Sequence, residues 1–155
     1  MEKLDVLNQV AEFHENFRHP ILKQPKIPSP ERSKLRLSLL EEELKELKEA
    51  VQNNDLIEVA DALCDIQYVL SGAILEFGLG NKFNGLFNEV QRSNMSKACK
   101  SEEEAKNTVE YYKIEKNTDC YYKKSGVHYL VFRTSDNKTL KSINYSPADL
   151  GRILF

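Results

Sequence analysis

Hydrophobic residues recur at helical spacing through the first part of the chain. The first predicted helix covers about residues 3–18 and ends at His19-Pro20, because a residue before proline avoids the helical conformation. Its apolar side is formed by residues at steps of three and four, which are Leu4, Leu7, Ala11, His14 and Phe17. A lone histidine in such a stripe is typical of a core or interface position.

Four more helices are predicted between residues 30 and 116. Ser29 before Pro30 is a favourable helix start, and Asp55 with Glu58 three residues later resembles a capping box. The short link before Asp55 favours an antiparallel pair of helices. The expected spans run from Pro30 to about Gln52, from Asp55 to Gly78, from about Asn81 to Ser96, and from Ser101 to about Lys116.

After Asn117 the pattern changes to period two, with aromatic and β-branched residues. The runs DCYYKK, VHYLVFR and KTLKSI are separated by turn-like segments and predict a small antiparallel meander, with a short helix at SPADL. The fold class is therefore mainly α, with a bundle of four to five helices and a small C-terminal antiparallel β meander. We expect a helical domain over residues 1–117 and a β appendage over residues 118–155.

Composition narrows the function classes. The 155 residues include 22 basic and 24 acidic side chains, a net charge of −2 that argues against a nucleic-acid-binding surface. No apolar run reaches the roughly 18–20 residues of a membrane span, and the acidic, amphipathic N-terminal segment does not resemble a signal peptide. The three cysteines have no disulfide or metal-type spacing, and Cys64 is expected to be a buried free thiol. We therefore expect a cytoplasmic protein with neither a nucleic-acid nor a membrane partner.

The second helix places carboxylates at the edge of its apolar face. Glu43 falls within the arc formed by Leu39 and Leu47, and Glu42 and Glu46 flank it. A solvated, glutamate-rich face is the alternative interpretation, since glutamate is a good helix former and Glu41 with Lys45 is a surface-type pair.

The third helix carries a second set of acids. Its apolar residues cover most of the circumference, so we expect it to be largely buried, yet Glu58, Asp61 and Asp65 share one narrow stripe. Isolated buried charge is costly, and hard divalent cations need several oxygen ligands. The two sets together favour a magnesium or manganese site. The alternative is that the stripe is the one solvated edge of the helix.

Four segments in order resemble the all-α nucleoside triphosphate pyrophosphohydrolases, a superfamily that includes MazG-like enzymes, dimeric dUTPases and phosphoribosyl-ATP pyrophosphohydrolase. They are FHENFRHPI, EELKE from Glu42 to Glu46, DALCD from Asp61 to Asp65, and QRSNMSK from Gln91 to Lys97. The resemblance covers about residues 10–100. It implies a MazG-like bundle that hydrolyses a nucleoside triphosphate to a monophosphate and pyrophosphate with Mg²⁺ (or Mn²⁺), with house-cleaning of the nucleotide pool as one expected role.

The resemblance also implies roles for individual residues. Glu42 or Glu43 is the general base, and the metal ligands are Glu43, Glu46, Asp61 and Asp65. Many members carry ExxD where this chain has Ala62 three residues before Asp65, so Glu58 and Asp61 both stay candidates to act with Asp65. The implied substrate contacts are Arg92, Asn94 and Lys97 for phosphate or sugar, and His14 and Phe17 for base or sugar. An ordinary basic helix end is the alternative for Arg92 and Lys97.

Members of this superfamily form dimers or tetramers, so a homodimer or homotetramer is expected, as the apolar third helix also suggests. Two other functions stay open: phosphoribosyl-ATP hydrolysis, and a non-catalytic helical dimerisation or regulatory module. In the tail, SDNKTLKS either brings lysines over the nucleotide or is a polar hairpin turn, and the second interpretation is the simpler one.

Overall fold

The computed structural model describes residues 4–155, in which six helices and one two-stranded antiparallel sheet confirm the mainly α prediction. Helix accounts for 59% of the described residues. The elements are α1 (Val6–Asn16), α2 (Pro30–Gln52), α3 (Leu56–Glu76), α4 (Gly80–Met95), α5 (Glu102–Glu115), β1 (Cys120–Ser125), β2 (His128–Arg133) and α6 (Gly151–Leu154). Residues 4–84 form one compact unit and residues 85–155 a second, with the boundary inside α4.

Local side-chain caps set the helix starts of the first unit. The Ser29 hydroxyl accepts the backbone N–H of Arg32, and the Asp55 carboxylate accepts the backbone N–H groups of Ile57 (3.0 Å) and Glu58 (3.2 Å). Asn54 adopts a left-handed conformation (φ 55°) in the turn between α2 and α3. Because only three residues join α2 to α3, the two helices pack side by side as predicted, and α1 packs on α3 as well.

The expectation that α3 is largely buried is wrong for the single chain. Burial is concentrated near its end, from Ser71 to Glu76, whereas Leu56 and Ile57 are each 80% exposed and Leu63 is 52% exposed. Cys64, expected in the core, is also exposed. Helical periodicity identifies an apolar surface but not the element that covers it, and α1 and α2 leave the first half of α3 open.

The proline-bearing connector packs against the end of α3. The backbone N–H of Leu22 donates to the Leu75 carbonyl, and that of Lys26 to the Phe77 carbonyl, both at 3.0 Å. Gly78 (φ +69°) lies directly against the connector, since a Cβ there would be 1.9 Å from the Gln24 carbonyl oxygen. The sequence thus requires glycine at this position for two independent reasons, the backbone conformation and the close approach.

The second unit is built around α5 and the β1–β2 hairpin. Its buried core cluster consists of Cys99, Ala105, Val131 and Leu140. Ser101 caps α5 through the Glu104 backbone N–H (3.1 Å), as predicted. The hairpin confirms the first two strands of the meander, but the third, KTLKSI, is not a strand: Thr139 forms only an isolated bridge with Phe132.

The cysteines and the helix lengths bear on two further predictions. Cys64, Cys99 and Cys120 are all free thiols, in agreement with the absence of a disulfide framework. Within residues 4–155, no single helix has the length and apolar character needed to cross a membrane; α3 and α4 taken as a broken pair meet the test by length and composition alone.

Candidate active site

Five carboxylates of α2 and α3 face one another in the first unit. Glu43 is half-buried, whereas the other four side chains, on both helices, are exposed: Glu42, Glu46, Asp61 and Asp65. Burial raises the pKa of Glu43 above its usual value, and the negative charges of Asp65, Glu46, Glu42 and Asp61, in that order, raise it further. The structure therefore gathers the two acidic sets predicted from the sequence around Glu43. Glu58 is not among the groups that raise the pKa of Glu43 most.

These carboxylates have no cationic partner. Across residues 4–155, no hydrogen bond or ion pair involves the side chains of Glu42, Glu43, Glu46, Asp61 or Asp65. Elsewhere on α2, Glu49 pairs with Lys45 at 3.6 Å, so the helix does carry cations where its face is solvated. Concentrated negative charge without a counter-ion is the donor chemistry that suits a hard divalent cation such as Mg²⁺ or Mn²⁺.

The chemistry of these carboxylates suits a metal ion, but their side chains do not form a ready-made coordination site. No three His, Cys, Asp or Glu side chains in the described part of the chain stand close enough together to hold a metal ion as they are placed. Four of the five carboxylates are exposed and therefore free to change rotamer. The cluster thus supplies oxygen donors from both helices.

A buried ionic network fixes the opposite end of the same helix pair. The Glu76 carboxylate, 1% exposed, accepts hydrogen bonds from the guanidinium groups of Arg32 and Arg36, including contacts from the two Nε atoms at 3.0 and 2.9 Å. Burial alone would raise the pKa of Glu76, but the hydrogen bonds and charges of the two arginines outweigh it and hold the pKa below its usual value. Glu76 is thus an ionised group that ties α3 to α2.

His14 belongs to this network. Its Nδ1–H donates to the Pro20 carbonyl (3.0 Å), and its Nε2 accepts from Arg36 Nη2 (3.3 Å), so the ring is the neutral tautomer. Burial is the main cause that lowers the pKa of His14 below 6.5. Gly72 makes room for the contact, because a Cβ there would lie 2.8 Å from Arg36 Nη1 and 3.0 Å from His14 Nε2. Both ring nitrogens are therefore already bonded within the chain.

Sequence analysis missed Arg32, Arg36, Glu76 and Gly72. The sequence did contain a signal for this network. It has two arginines four residues apart at the start of α2 and one glutamate in the apolar run VLSGAILEF. A charged residue among apolar helix positions needs a buried partner.

An aromatic cavity lies between α1, α2 and α3. It has a volume of about 240 Å³ and is lined in part by Phe13, His19, Leu39 and Tyr68. Phe13 stacks on His19 (centroids 5.8 Å apart, planes at 16°) and meets Tyr68 edge to face. Leu39 is four residues before Glu43 on α2, and Tyr68 is three residues after Asp65 on α3. Residues at these spacings share a helix face, so the cavity adjoins the carboxylate cluster.

Phe17 contacts this aromatic group from the outside. Its ring packs on Phe13 with centroids 4.4 Å apart, but 65% of the residue is exposed. The roles of His14 and Phe17 as substrate contacts stay predictions.

The other predicted substrate contacts lie in the second unit. Arg92 donates to both carboxylate oxygens of Glu89 (2.8 Å each), to the Ser146 hydroxyl (3.0 Å) and to the Pro147 carbonyl (2.9 Å). The hydrogen bonds from Arg92 and from the backbone of Asp149 lower the pKa of Glu89 to about 2. Lys97 Nζ donates to Asn94 Oδ1 at 2.8 Å. Arg92 thus holds the C-terminal segment, and Asn94 and Lys97 hold each other.

A family model described as phosphoribosyl-ATP pyrophosphohydrolase matches residues 10–94, more than half of the chain. The chain belongs to the phosphoribosyl-ATP pyrophosphohydrolase family. Proteins of this family are hydrolases that act on phosphoanhydride bonds, and they generally depend on a divalent metal. The matched residues include the carboxylates of both helices and the Arg32–Arg36–Glu76 network, and they end within α4 at Asn94.

The chain is also similar to "Uncharacterized protein L479" of Acanthamoeba polyphaga mimivirus. The two are 35% identical over 160 residues, which cover 99% of this chain and 59% of the viral protein. The chain thus spans less than two thirds of the length of that relative. Unlike the family match, this similarity includes the second unit.

Proposed function

We propose that this member of the phosphoribosyl-ATP pyrophosphohydrolase family is a Mg²⁺-dependent nucleoside triphosphate pyrophosphohydrolase, with Mn²⁺ as an alternative cofactor. The reaction converts a ribo- or deoxynucleoside triphosphate and water to a monophosphate and pyrophosphate. The observation that carries the proposal is the cluster of unpaired carboxylates from α2 and α3 around Glu43. We further propose a cytoplasmic role in removing a pyrimidine or modified nucleotide from the pool.

In the proposed mechanism, Glu43, Glu46, Asp61 and Asp65 hold the metal. When bound, the metal neutralises the triphosphate charge and polarises its phosphoryl oxygens. Glu42 or Glu43 accepts a proton from the water that attacks the α-phosphorus, and the bond from that phosphorus to the bridging oxygen breaks to release pyrophosphate. Asn94, Lys97 and Arg92 are proposed phosphate or sugar contacts.

The aromatic cavity supports a nucleoside substrate. Phe13, His19 and Tyr68 offer flat surfaces on which a base can stack, and the cavity adjoins the carboxylates along the same helix faces. We place the base there and the triphosphate toward Glu43. His14 and Phe17 support this pocket from behind and at its rim.

Phosphoribosyl-ATP is a second candidate substrate, favoured by the description of the matching family. It contains an adenine base and a triphosphate, so the same cluster and cavity would receive it. Base stacking does not distinguish the two reactions, and a direct comparison of substrates is needed.

The test measures pyrophosphate release from a panel of ribo- and deoxynucleoside triphosphates and from phosphoribosyl-ATP, with Mg²⁺ and with EDTA. We expect turnover of at least one nucleoside triphosphate, none with EDTA, and losses of about a hundredfold or more for Glu43→Gln and Asp65→Asn. Glu49→Gln, an exposed glutamate of α2, is the matched control and should keep full activity. Turnover of phosphoribosyl-ATP alone would favour the second candidate. If no nucleotide of the panel is hydrolysed, the protein is instead a non-catalytic helical dimerisation or regulatory module.

We also propose that the protein is a homodimer or homotetramer whose subunits cover α3. The apolar side chains of Leu56, Ile57 and Leu63 are more than half exposed in the single chain. Ile57→Glu should shift the oligomer toward monomer in light scattering. Val127→Glu is the matched control, because Val127 is 81% exposed but lies in the hairpin turn. A wild-type protein that is strictly monomeric at working concentration would contradict the proposal.

A further inference from the structure

The second unit contains a cavity of about 520 Å³ whose lining residues, Arg92 excepted, have no part in the proposed hydrolysis. Side chains from the end of α4, the start of α5, β2 and the C-terminal segment form its polar wall: Arg92, Lys100, Glu104, His128, Asn144 and Ser146. Its volume is in the range of small-molecule sites, about 300–1,000 Å³. All of these residues except Arg92 lie outside the family match over residues 10–94, so membership of the family assigns no ligand to them.

Two basic side chains in this wall, Lys100 and His128, have no direct partner among the described residues, although the charge of Lys100 acts on the Glu104 carboxylate. The ammonium group of Lys100 and the imidazole of His128 form no hydrogen bond or ion pair with any side chain or backbone group of residues 4–155. Other lysines of the unit are engaged, such as Lys106 with Glu102 and Lys97 with Asn94. Hydrogen-bond donors that line a cavity and have no direct partner are the feature expected of an anion site.

The one carboxylate in the wall, Glu104, accepts no hydrogen bond from the side chains of Lys100 or His128. The Glu104 carboxylate accepts the hydroxyl of Ser142, the backbone N–H of Lys100 (2.9 Å) and the amide of Asn144. Burial tends to raise the pKa of Glu104, but these hydrogen bonds, together with the charge of Lys100, hold it below its usual value. Glu104 therefore fixes the backbone at Lys100 and the side chain of Asn144 in place.

Arg92 and Ser146 add two more donors. Arg92 uses Nε, both hydrogens of Nη2 and one hydrogen of Nη1 for Glu89, Pro147 and Ser146, which leaves one Nη1–H. Ser146 accepts from Arg92, so its own hydroxyl proton stays available. The cavity wall thus has an excess of donors, from four side chains.

We propose that this cavity binds the phosphate group of a small phosphomonoester or inorganic phosphate. Donors on several sides of a cavity match the three or four terminal oxygens of a tetrahedral phosphate better than the two coplanar oxygens of a carboxylate. Apart from Arg92, the residues that line this site have no role in the proposed hydrolysis.

Calorimetric titration of the full chain tests this proposal, with EDTA present so that no metal in the carboxylate cluster contributes. We expect inorganic phosphate to bind, and Lys100→Gln and His128→Gln each to weaken binding by about tenfold or more. Lys138→Gln is the matched control, because Lys138 is an exposed lysine of the same unit that does not line the cavity, and it should bind as the wild type does. Circular dichroism confirms that each variant is folded.

Uridine monophosphate in a parallel titration identifies the source of the phosphate. Tighter binding than inorganic phosphate assigns the site to a nucleoside monophosphate, and equal binding assigns it to the phosphate alone. Absence of phosphate binding up to about 10 mM, equal binding of acetate at matched ionic strength, or full affinity in both cavity variants would overturn the proposal.

Discussion

Replacing Glu76 with glutamine probes the network that joins α2 and α3. Glu76 is 1% exposed, and the side chain of its partner Arg36 is 8% exposed, so the change leaves a buried guanidinium without its counter-charge. Removing one partner of a buried ion pair typically costs about 3–5 kcal/mol. Arg32 has a side chain that is 31% exposed and regains hydration. We therefore expect the lower end, about 3 kcal/mol of unfolding free energy.

Urea denaturation followed by circular dichroism measures this loss at a fixed protein concentration. With a slope of about 2 kcal/mol per molar urea, the midpoint of Glu76→Gln should fall by about 1.5 M while the slope is unchanged. Glu49→Gln is the control, since the Lys45–Glu49 pair has side chains that are 75% and 58% exposed, and such pairs contribute about 0–1 kcal/mol. A midpoint for Glu76→Gln within about 0.3 M of that of Glu49→Gln would refute the reasoning.

Two further predictions concern the same region. The pKa of His14 is lowered below 6.5 in the folded state, so the unfolded chain binds more protons. The free energy of unfolding should therefore fall as the pH drops through about 6.5, more steeply than in His14→Asn. If thermal unfolding shows the same pH dependence in both proteins, His14 is not a buried neutral ring. Gly72→Ala places a methyl group against Arg36 and His14 and should cost about 1–3 kcal/mol. Gly85→Ala, where the new Cβ would lie 3.6 Å from Cγ2 of Ile153, should be neutral or slightly stabilising. Equal unfolding free energies for the two alanine variants would contradict the close approach at Gly72.

Features set by neighbouring residues were predictable from the sequence. The starts of α2, α3 and α5 depend on Ser29, Asp55 and Ser101, whose side chains bond backbone groups two or three residues away. The carboxylate cluster followed from the helical period, because Glu43 and Asp65 fall on definite faces and a short turn brings the two helices together.

Features that depend on distant partners were not predictable. Glu76 and Arg36 are 40 residues apart, and no local pattern pairs them. The exposure of Leu56 and Ile57 depends on what covers α3, which periodicity does not specify. The third predicted strand, KTLKSI, has a suitable alternation, but it forms only two backbone hydrogen bonds with β2, from Arg133 N–H to the Lys138 carbonyl (2.9 Å) and from Leu140 N–H to the Val131 carbonyl (2.8 Å). These make an isolated bridge and do not extend the ladder.

Metal binding tests the central claim most directly, namely that α2 and α3 together form a divalent-metal site. Calorimetric titration with Mn²⁺ and with Mg²⁺ compares the wild type with Glu43→Gln on α2 and Asp65→Asn on α3, and with Glu49→Gln as the control. We predict that the wild type and Glu49→Gln bind alike and that each of the other two variants loses at least about tenfold in affinity, because the ligands come from both helices. Absence of binding to the wild type, or full affinity in both Glu43→Gln and Asp65→Asn, would contradict the account.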